Sequence, residues 1–312
     1  MARYRHALPQ LAGDVFLTDA GLETDLIFNH GIPIRAFAAH TLLPAPVGRQ
    51  AILDYFRGFL ALARAHQTGY ILDSVTWKAH MHWASALGAG ARELHEANRA
   101  SVALMVQLRD ECASHEKPIV LNGIIGPQGD AYAPDTAIAI HEAERYHAQQ
   151  IGWLADTEVD MVTALTFTQS AEASGLVLAA RSAGLPVVVS FTVETDGRLP
   201  TGQPLGEAID AVDQATDAAA AYFMVNCAHP EHFAHVLGDT AWARRVRGIR
   251  CNASRKSHAE LDASDTLDAG DPVELGQQYV ALRAKMPWLN VFGGCCGSDL
   301  RHVTQIAQAL HI

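Results

Sequence analysis

The stretch SAGLPVVVSFTV, residues 182–193, decides how the rest of the chain is read. Gly184 and Pro186 stop a helix, and the run Val187, Val188, Val189 that follows is the apolar, β-branched pattern of a strand buried on both faces. QTGY (67–70) and AKMPWLNV (284–291) repeat the arrangement, with Gly or Pro just past a helix and before an apolar run. Eight such runs are spaced along the chain: FLTDAG from Phe16, YILDSV from Tyr70, IVLNGII from Ile119, MVTALTF from Met161, VVVSFTV from Val187, YFMVNC from Tyr222, VRGIRC from Val246 and VFGGCC from Val291. Helical spacing lies between them. Residues 51–66 carry Ile52, Phe56, Phe59, Leu60 and Ala63 on one face, and residues 91–113 are uninterrupted by Gly or Pro.

Eight strand–helix units in 312 residues predict a (β/α)8 barrel of the α/β class, in a single domain over 1–312. An open doubly wound sheet is the competing architecture. It would usually carry a Gly-rich phosphate loop after its first strand, and neither GxGxxG nor GxxxxGK[ST] is present. Residues 253–272 are long and polar and are expected to form a loop over the active face.

A formal charge of −11 disfavours nucleic acid and anionic membranes as partners and favours small molecules. A homo-oligomer is left open. No signal-like segment and no apolar run of about 18 residues occurs, which predicts a soluble, cytoplasmic protein. Five cysteines, two of them adjacent, make a poor disulfide framework but suit a soft metal in a reducing compartment.

Barrel chemistry sits where strands end and loops begin, on the C-terminal rim. The polar residues falling there are Asp19, Asp73, Asn122, Thr192, Glu194, Asn226, Cys227, Asn252, Cys295 and Cys296. Cys227 ends the sixth strand and the tandem pair ends the eighth, so the three thiols can converge although 68 residues separate Cys227 from Cys295. Three thiolates around a tetrahedral Zn2+ leave one corner open, and a thiol entering that corner would be held as thiolate near neutral pH. The glycines of GGCCG are expected to permit the sharp turn that aims two successive side chains inward.

Other residues read more plainly. Cys112, inside a helix, is a core residue, and Cys251 packs at a strand end rather than adding a ligand. His80 and His82 follow the second strand, with surface or capping roles set against contact with substrate, and for Trp77 beside them plain loop packing is set against a cation-π contact with a ligand.

In order along the chain, LTDAGLETDL (from Leu17), NGIIGPQGDAY (from Asn122), SFTVETDGRLPTGQPLGEAI (from Ser190), VNC (from Val225) and GGCCGS (from Gly293) resemble the homocysteine S-methyltransferase family. The resemblance runs from about Phe16 to Ala309 and implies a homocysteine-binding barrel domain. It also implies zinc on Cys227, Cys295 and Cys296, a small thiol acceptor, and a methyl donor of sulfonium (S-methylmethionine-like) or betaine type. A role in methionine biosynthesis goes with it, and no cobalamin or folate module is expected. Asp19, Glu23, Thr166, Glu194 and Asn226 are the substrate-binding candidates.

One position departs from the pattern. Leu165 stands where that family commonly places a glutamate for the substrate ammonium, and an apolar side chain cannot pair with a cation. Either Glu23 or Glu194 takes over, or the acceptor is a thiol without the amino group. Glu172 is expected in a helix or behind the site, and Asp73 as a helix cap or a substrate contact. Two other readings of the same cysteines are a zinc or thiol sensor without turnover and a vicinal-cysteine redox enzyme.

Overall fold

In the computed structural model, which describes residues 1–112, 116–131 and 137–312, eight parallel strands close in sequence order into a barrel. They are β1 (Phe16–Leu17), β2 (Gly69–Asp73), β3 (Ile119–Ile125), β4 (Met161–Phe167), β5 (Val187–Phe191), β6 (Tyr222–Asn226), β7 (Val246–Cys251) and β8 (Val291–Gly294). Closure is made by β1 pairing with β8, Phe16 opposite Val291. Seven strands open on the residue the sequence predicts, and β2 opens one residue earlier. Five end sooner, because at residues such as Asp19 and Cys227 the chain leaves the ladder to form the rim.

The principal helices are α1 (Pro46–Ala65), α2 (Ala91–Glu111), α3 (Ile140–Ala155), α4 (Ser170–Ser182), α5 (Leu205–Thr216), α6 (Pro230–Phe233), α7 (Pro272–Lys285) and α8 (Leu300–Ala309). Pro46 in the first turn of α1 moves that helix ahead of its predicted start, where the absent N–H costs nothing. Ala113 and Tyr132, which end two of the quoted sequence segments, lie outside the described residues. After β6 the helix shrinks to one turn. Residues 253–272 do pass over the rim, but they contain the short helix His258–Asp262, closed at its start by a capping box in which Ser257 N–H donates to the Glu260 carboxylate at 2.8 Å.

Side chains alternate across each strand, and the inward ones change character from bottom to top. At the bottom Phe16, Ile71, Val120, Met161, Val188, Met224 and Val291 form one apolar plug, covered by Leu8 of the N-terminal segment. Two residues further up the same strands lie Asp73, Asn122, Thr163, Ser190 and Asn226, buried and polar. They are linked to one another: Thr163 donates to Asn122 Oδ1 at 3.0 Å, and Asn122 Nδ2 donates to Asp73 at 2.8 Å. A larger apolar layer lies between sheet and helices, so polar functions are confined to the barrel mouth. Among the described residues no helix is long and apolar enough to cross a membrane.

Candidate active site and metal centre

At the C-terminal mouth the three predicted thiols meet. Cys227 Sγ is 3.1 Å from Cys295 Sγ and 3.5 Å from Cys296 Sγ, and all three sulfurs lie within 4.8 Å of one another. Tetrahedral corners about 2.3 Å from one zinc would be about 3.8 Å apart, a few tenths of an ångström more than the two distances from Cys227 Sγ. No other group of three His, Cys, Asp or Glu ligands occurs among the described residues. The donor set therefore fits a soft divalent ion, and all three cysteines line the cavity. Cys295 is held well below the ordinary thiol range because the thiols of Cys227 and Cys296 hydrogen-bond to it, with Arg250 assisting; Cys227 is pushed up by its own hydrogen bonds to Cys295 and Cys296 and by burial. Cys251 is apart from this group, buried in the core and pushed up to about 12 by loss of solvent, and Cys112 caps the end of α2, half-buried.

The local backbone explains how two loops aim three sulfurs at one point. Cys227 has φ +57°, a left-handed conformation that costs a non-glycine residue about 1–2 kcal/mol and turns its side chain out of the β6 alternation. Thr166, at φ +66°, sits where the β4–β5 register shifts between Leu165 and Phe167, a bulge that re-aims both it and its neighbour. Asn226 joins the two: its Nδ2 donates to Thr166 Oγ1 at 2.8 Å, and its Oδ1 accepts from Thr166 N at 3.1 Å and from Ser190 Oγ at 2.6 Å. The glycines before the tandem cysteines act differently from the sharp turn expected of them. Only Gly297 has positive φ; Gly293 and Gly294 allow close approach, since a Cβ would lie 1.9 Å from Thr18 Oγ1 in one case and 2.0 Å from Ser298 Oγ in the other.

A cavity of about 380 Å³ stands above the sulfurs, ample for small ligands. Its wall includes Asp19, Glu23, Leu165, Thr166, Trp77 and Lys78, and its mouth is closed on one side by Leu261, Asp262 and Leu267 of the segment after β7. Trp77 donates its indole N–H to the Leu165 carbonyl at 2.9 Å. Lys78, with its ammonium 3.9 Å from the centre of the Trp83 ring, is lowered by burial.

Arg250, unremarked in the sequence, dominates the floor. This buried guanidinium contacts Asp73 through Nη1 and Asp19 through Nη2, the latter at 2.5 Å. Tyr55 Oη adds a contact to Asp19 at 3.4 Å. Asp73 is thus an ion-pair partner of Arg250, and it also lines the cavity. The available signal was the second of two arginines in VRGIRC, Arg250, which alternation along the strand places on the opposite side from Ile249 of the apolar layer.

The remaining candidates separate. Glu23 and Thr166 line the cavity; Asn226 and Glu194 do not. Glu194 instead contacts His258 Nδ1 at 3.1 Å. Burial pushes the Glu23 carboxyl up to about 7, the Cys295 thiol adding to the rise. His80 is buried with Nδ1 2.5 Å from Tyr146 Oη, and neither it nor His82 lines the cavity. Glu172 lies behind the site, accepting from Gln128 N–H at 2.6 Å and facing His147 Nε2 at 3.0 Å.

Comparison with known proteins agrees with this geometry. A family model described as homocysteine S-methyltransferase matches residues 16–310. Among solved structures, the metallated form of the Escherichia coli homocysteine methyltransferase MmuM superposes with a TM-score of 0.70 at 18% identity, covering 97% of this chain and 98% of that one. Its oxidized form gives 0.72 at 16% identity, covering 95% and 96%. At such identity these structures establish likeness of fold. No curated protein matches significantly. The breadth of the family match, across a barrel that carries its thiols on the rim, makes this chain a member of the homocysteine S-methyltransferase family and a methyltransferase.

Proposed function

We propose that this chain transfers a methyl group from a small sulfonium or betaine donor to a small thiol, homocysteine or an analogue of it, using zinc held by Cys227, Cys295 and Cys296. The observation that carries this reading is the convergence of three sulfurs under an open cavity. Zinc, when bound there, would lower the pKa of a thiol acceptor and spare the protein a general base. The chain's own residues supply orientation. Holding two reactants in line accounts for several powers of ten in rate.

The cavity's charges support a cationic reactant. Asp19 and Asp73 both pair with Arg250, whereas Glu23 is a carboxyl on the wall outside that ion-pair cluster. We assign Glu23, rather than Glu194, to the positive group of acceptor or donor, because Glu194 is turned to His258. Thr166 and Asp19 shape the wall on either side. Leu165 presents an apolar surface where an ammonium would otherwise be met, which favours an acceptor held chiefly by its sulfur. A reducing compartment such as the cytoplasm suits the three thiols.

The test is direct: the zinc-loaded protein is incubated with homocysteine, or with a thiol lacking the amino group, together with S-methylmethionine or a betaine, and the methylated thiol is followed. Product with one pair supports the reading. Absence of product with every pair, from a folded protein carrying one zinc, overturns it.

A further inference from the structure

The back of Cys227 is gripped as firmly as its front is exposed to the other sulfurs. Its carbonyl oxygen accepts from His258 Nε2 at 2.7 Å and from Asn252 Nδ2 at 3.0 Å, with Thr192 Oγ1 3.3 Å away. Its N–H donates to the Arg250 carbonyl at 3.1 Å. A carbonyl can only accept, so Nε2 of His258 is the donor, and Glu194 Oε1 braces the ring at Nδ1 from 3.1 Å. His258 is 4% exposed and belongs to no part of the barrel proper. It opens the short helix His258–Asp262, whose later residues Leu261 and Asp262 line the cavity mouth.

We propose that His258, braced by Glu194, is a positioning residue for the metal corner: it holds Cys227 in its left-handed conformation from behind and ties the mouth segment to that corner. The inference rests on the reading of the three cysteines as zinc ligands. A residue with positive φ relaxes toward an extended or helical conformation when its restraints are removed, and for Cys227 that relaxation swings Sγ away from Cys295 and Cys296. Three donors from three separate segments converge on one oxygen here, while the Cys295 carbonyl receives two donors, both from the nearby Ser298 (Oγ at 2.6 Å and N–H at 3.0 Å), and that of Cys296 receives one, Ala253 N–H at 3.2 Å. The reinforcement falls on the ligand with the strained backbone.

The experiment measures zinc release from the intact protein into a chromogenic chelator, for the wild type, His258→Ala, His258→Gln and Glu194→Gln, with circular dichroism as a check of folding. Groups behind metal ligands typically change affinity about 10- to 100-fold when removed. His258→Ala is expected to release zinc at least about 10-fold faster than the wild type, and His258→Gln, which keeps an N–H donor, is expected to recover most of the difference. Should His258→Ala fail to fold, Glu194→Gln is read instead, with faster release expected and a wild-type rate counting as refutation. Release from folded His258→Ala within twofold of the wild type overturns the positioning role and leaves the zinc reading standing. A wild-type protein that takes up no zinc overturns the zinc reading itself, a result distinct from the first.

Discussion

Arg250 on β7 reaches across the barrel mouth, past β8 and β1, to Asp73 on β2, 177 residues away in the chain. With Asp19 on its other side it forms a buried triad in which one positive charge serves two carboxylates. Removing one partner of a buried pair costs about 3–5 kcal/mol because the remaining charge is left without compensation. Arg250→Met is expected to destabilise the protein by that amount in urea unfolding. Adding Asp19→Asn and Asp73→Asn to Arg250→Met should restore much of the loss. A single variant as stable as the wild type would contradict the triad's place in the fold.

Replacing Cys295 by Ser removes the thiol most readily ionised and puts in its place a hydroxyl that stays protonated at neutral pH. Zinc affinity is expected to fall by more than about 100-fold, as one of three sulfur bonds is lost. Metal analysis after dialysis against a weak chelator measures this, the wild type retaining about one equivalent. Cys251→Ser, outside the sulfur group, should retain zinc like the wild type.

Leu165 meets the cavity with an apolar face, so introducing Glu there supplies a partner for an ammonium group. A hydrogen bond to a charged group contributes about 1.5–3 kcal/mol. Leu165→Glu is expected to raise selectivity for homocysteine over a mercapto acid without the amino group by about 10-fold or more, read as the ratio of kcat/KM values. An unchanged ratio would mean that this wall does not meet the acceptor's amino end.

Glu23 gives a pH dependence whose sign is set by burial. Its carboxyl titrates at about 7 in the folded chain against an ordinary 4.5. Between those values the unfolded chain has already ionised while the folded one keeps its proton, so the Glu23 contribution to stability falls as pH rises from about 4.5 to 7 and is level above that. Glu23→Gln removes this part of the slope, while Asp19, pushed up to about 8 by burial, keeps its own. Relative to the variant, the wild type should lose up to about 3 kcal/mol across that range, because one proton held only by the folded chain is worth about 1.4 kcal/mol for each tenfold fall in proton concentration. Binding of a cationic ligand should tighten through the same range in the wild type and be flat in the variant, measured by calorimetry. A variant that retains the wild-type slope would remove Glu23 from this role.

What the sequence by itself determined is the order and starting points of the strands, the barrel they form and the three sulfurs on its rim. Those follow from local signals: helix stops such as Gly184-Leu185-Pro186, β-branched runs, and cysteines placed at strand ends, all readable within a few residues. The SHAE capping box at Ser257 was readable too and marks the helix that interrupts the loop. Only the tertiary structure decided that Arg250 pairs with both Asp19 and Asp73, that Glu194 faces His258 while Glu23 faces the cavity, and that Cys227 adopts positive φ under three convergent donors. Those relations join residues tens to hundreds of positions apart, and they depend on the stagger with which eight strands close and on where each strand leaves its ladder. Neither quantity is carried by any local pattern, because both arise from the packing of the whole barrel.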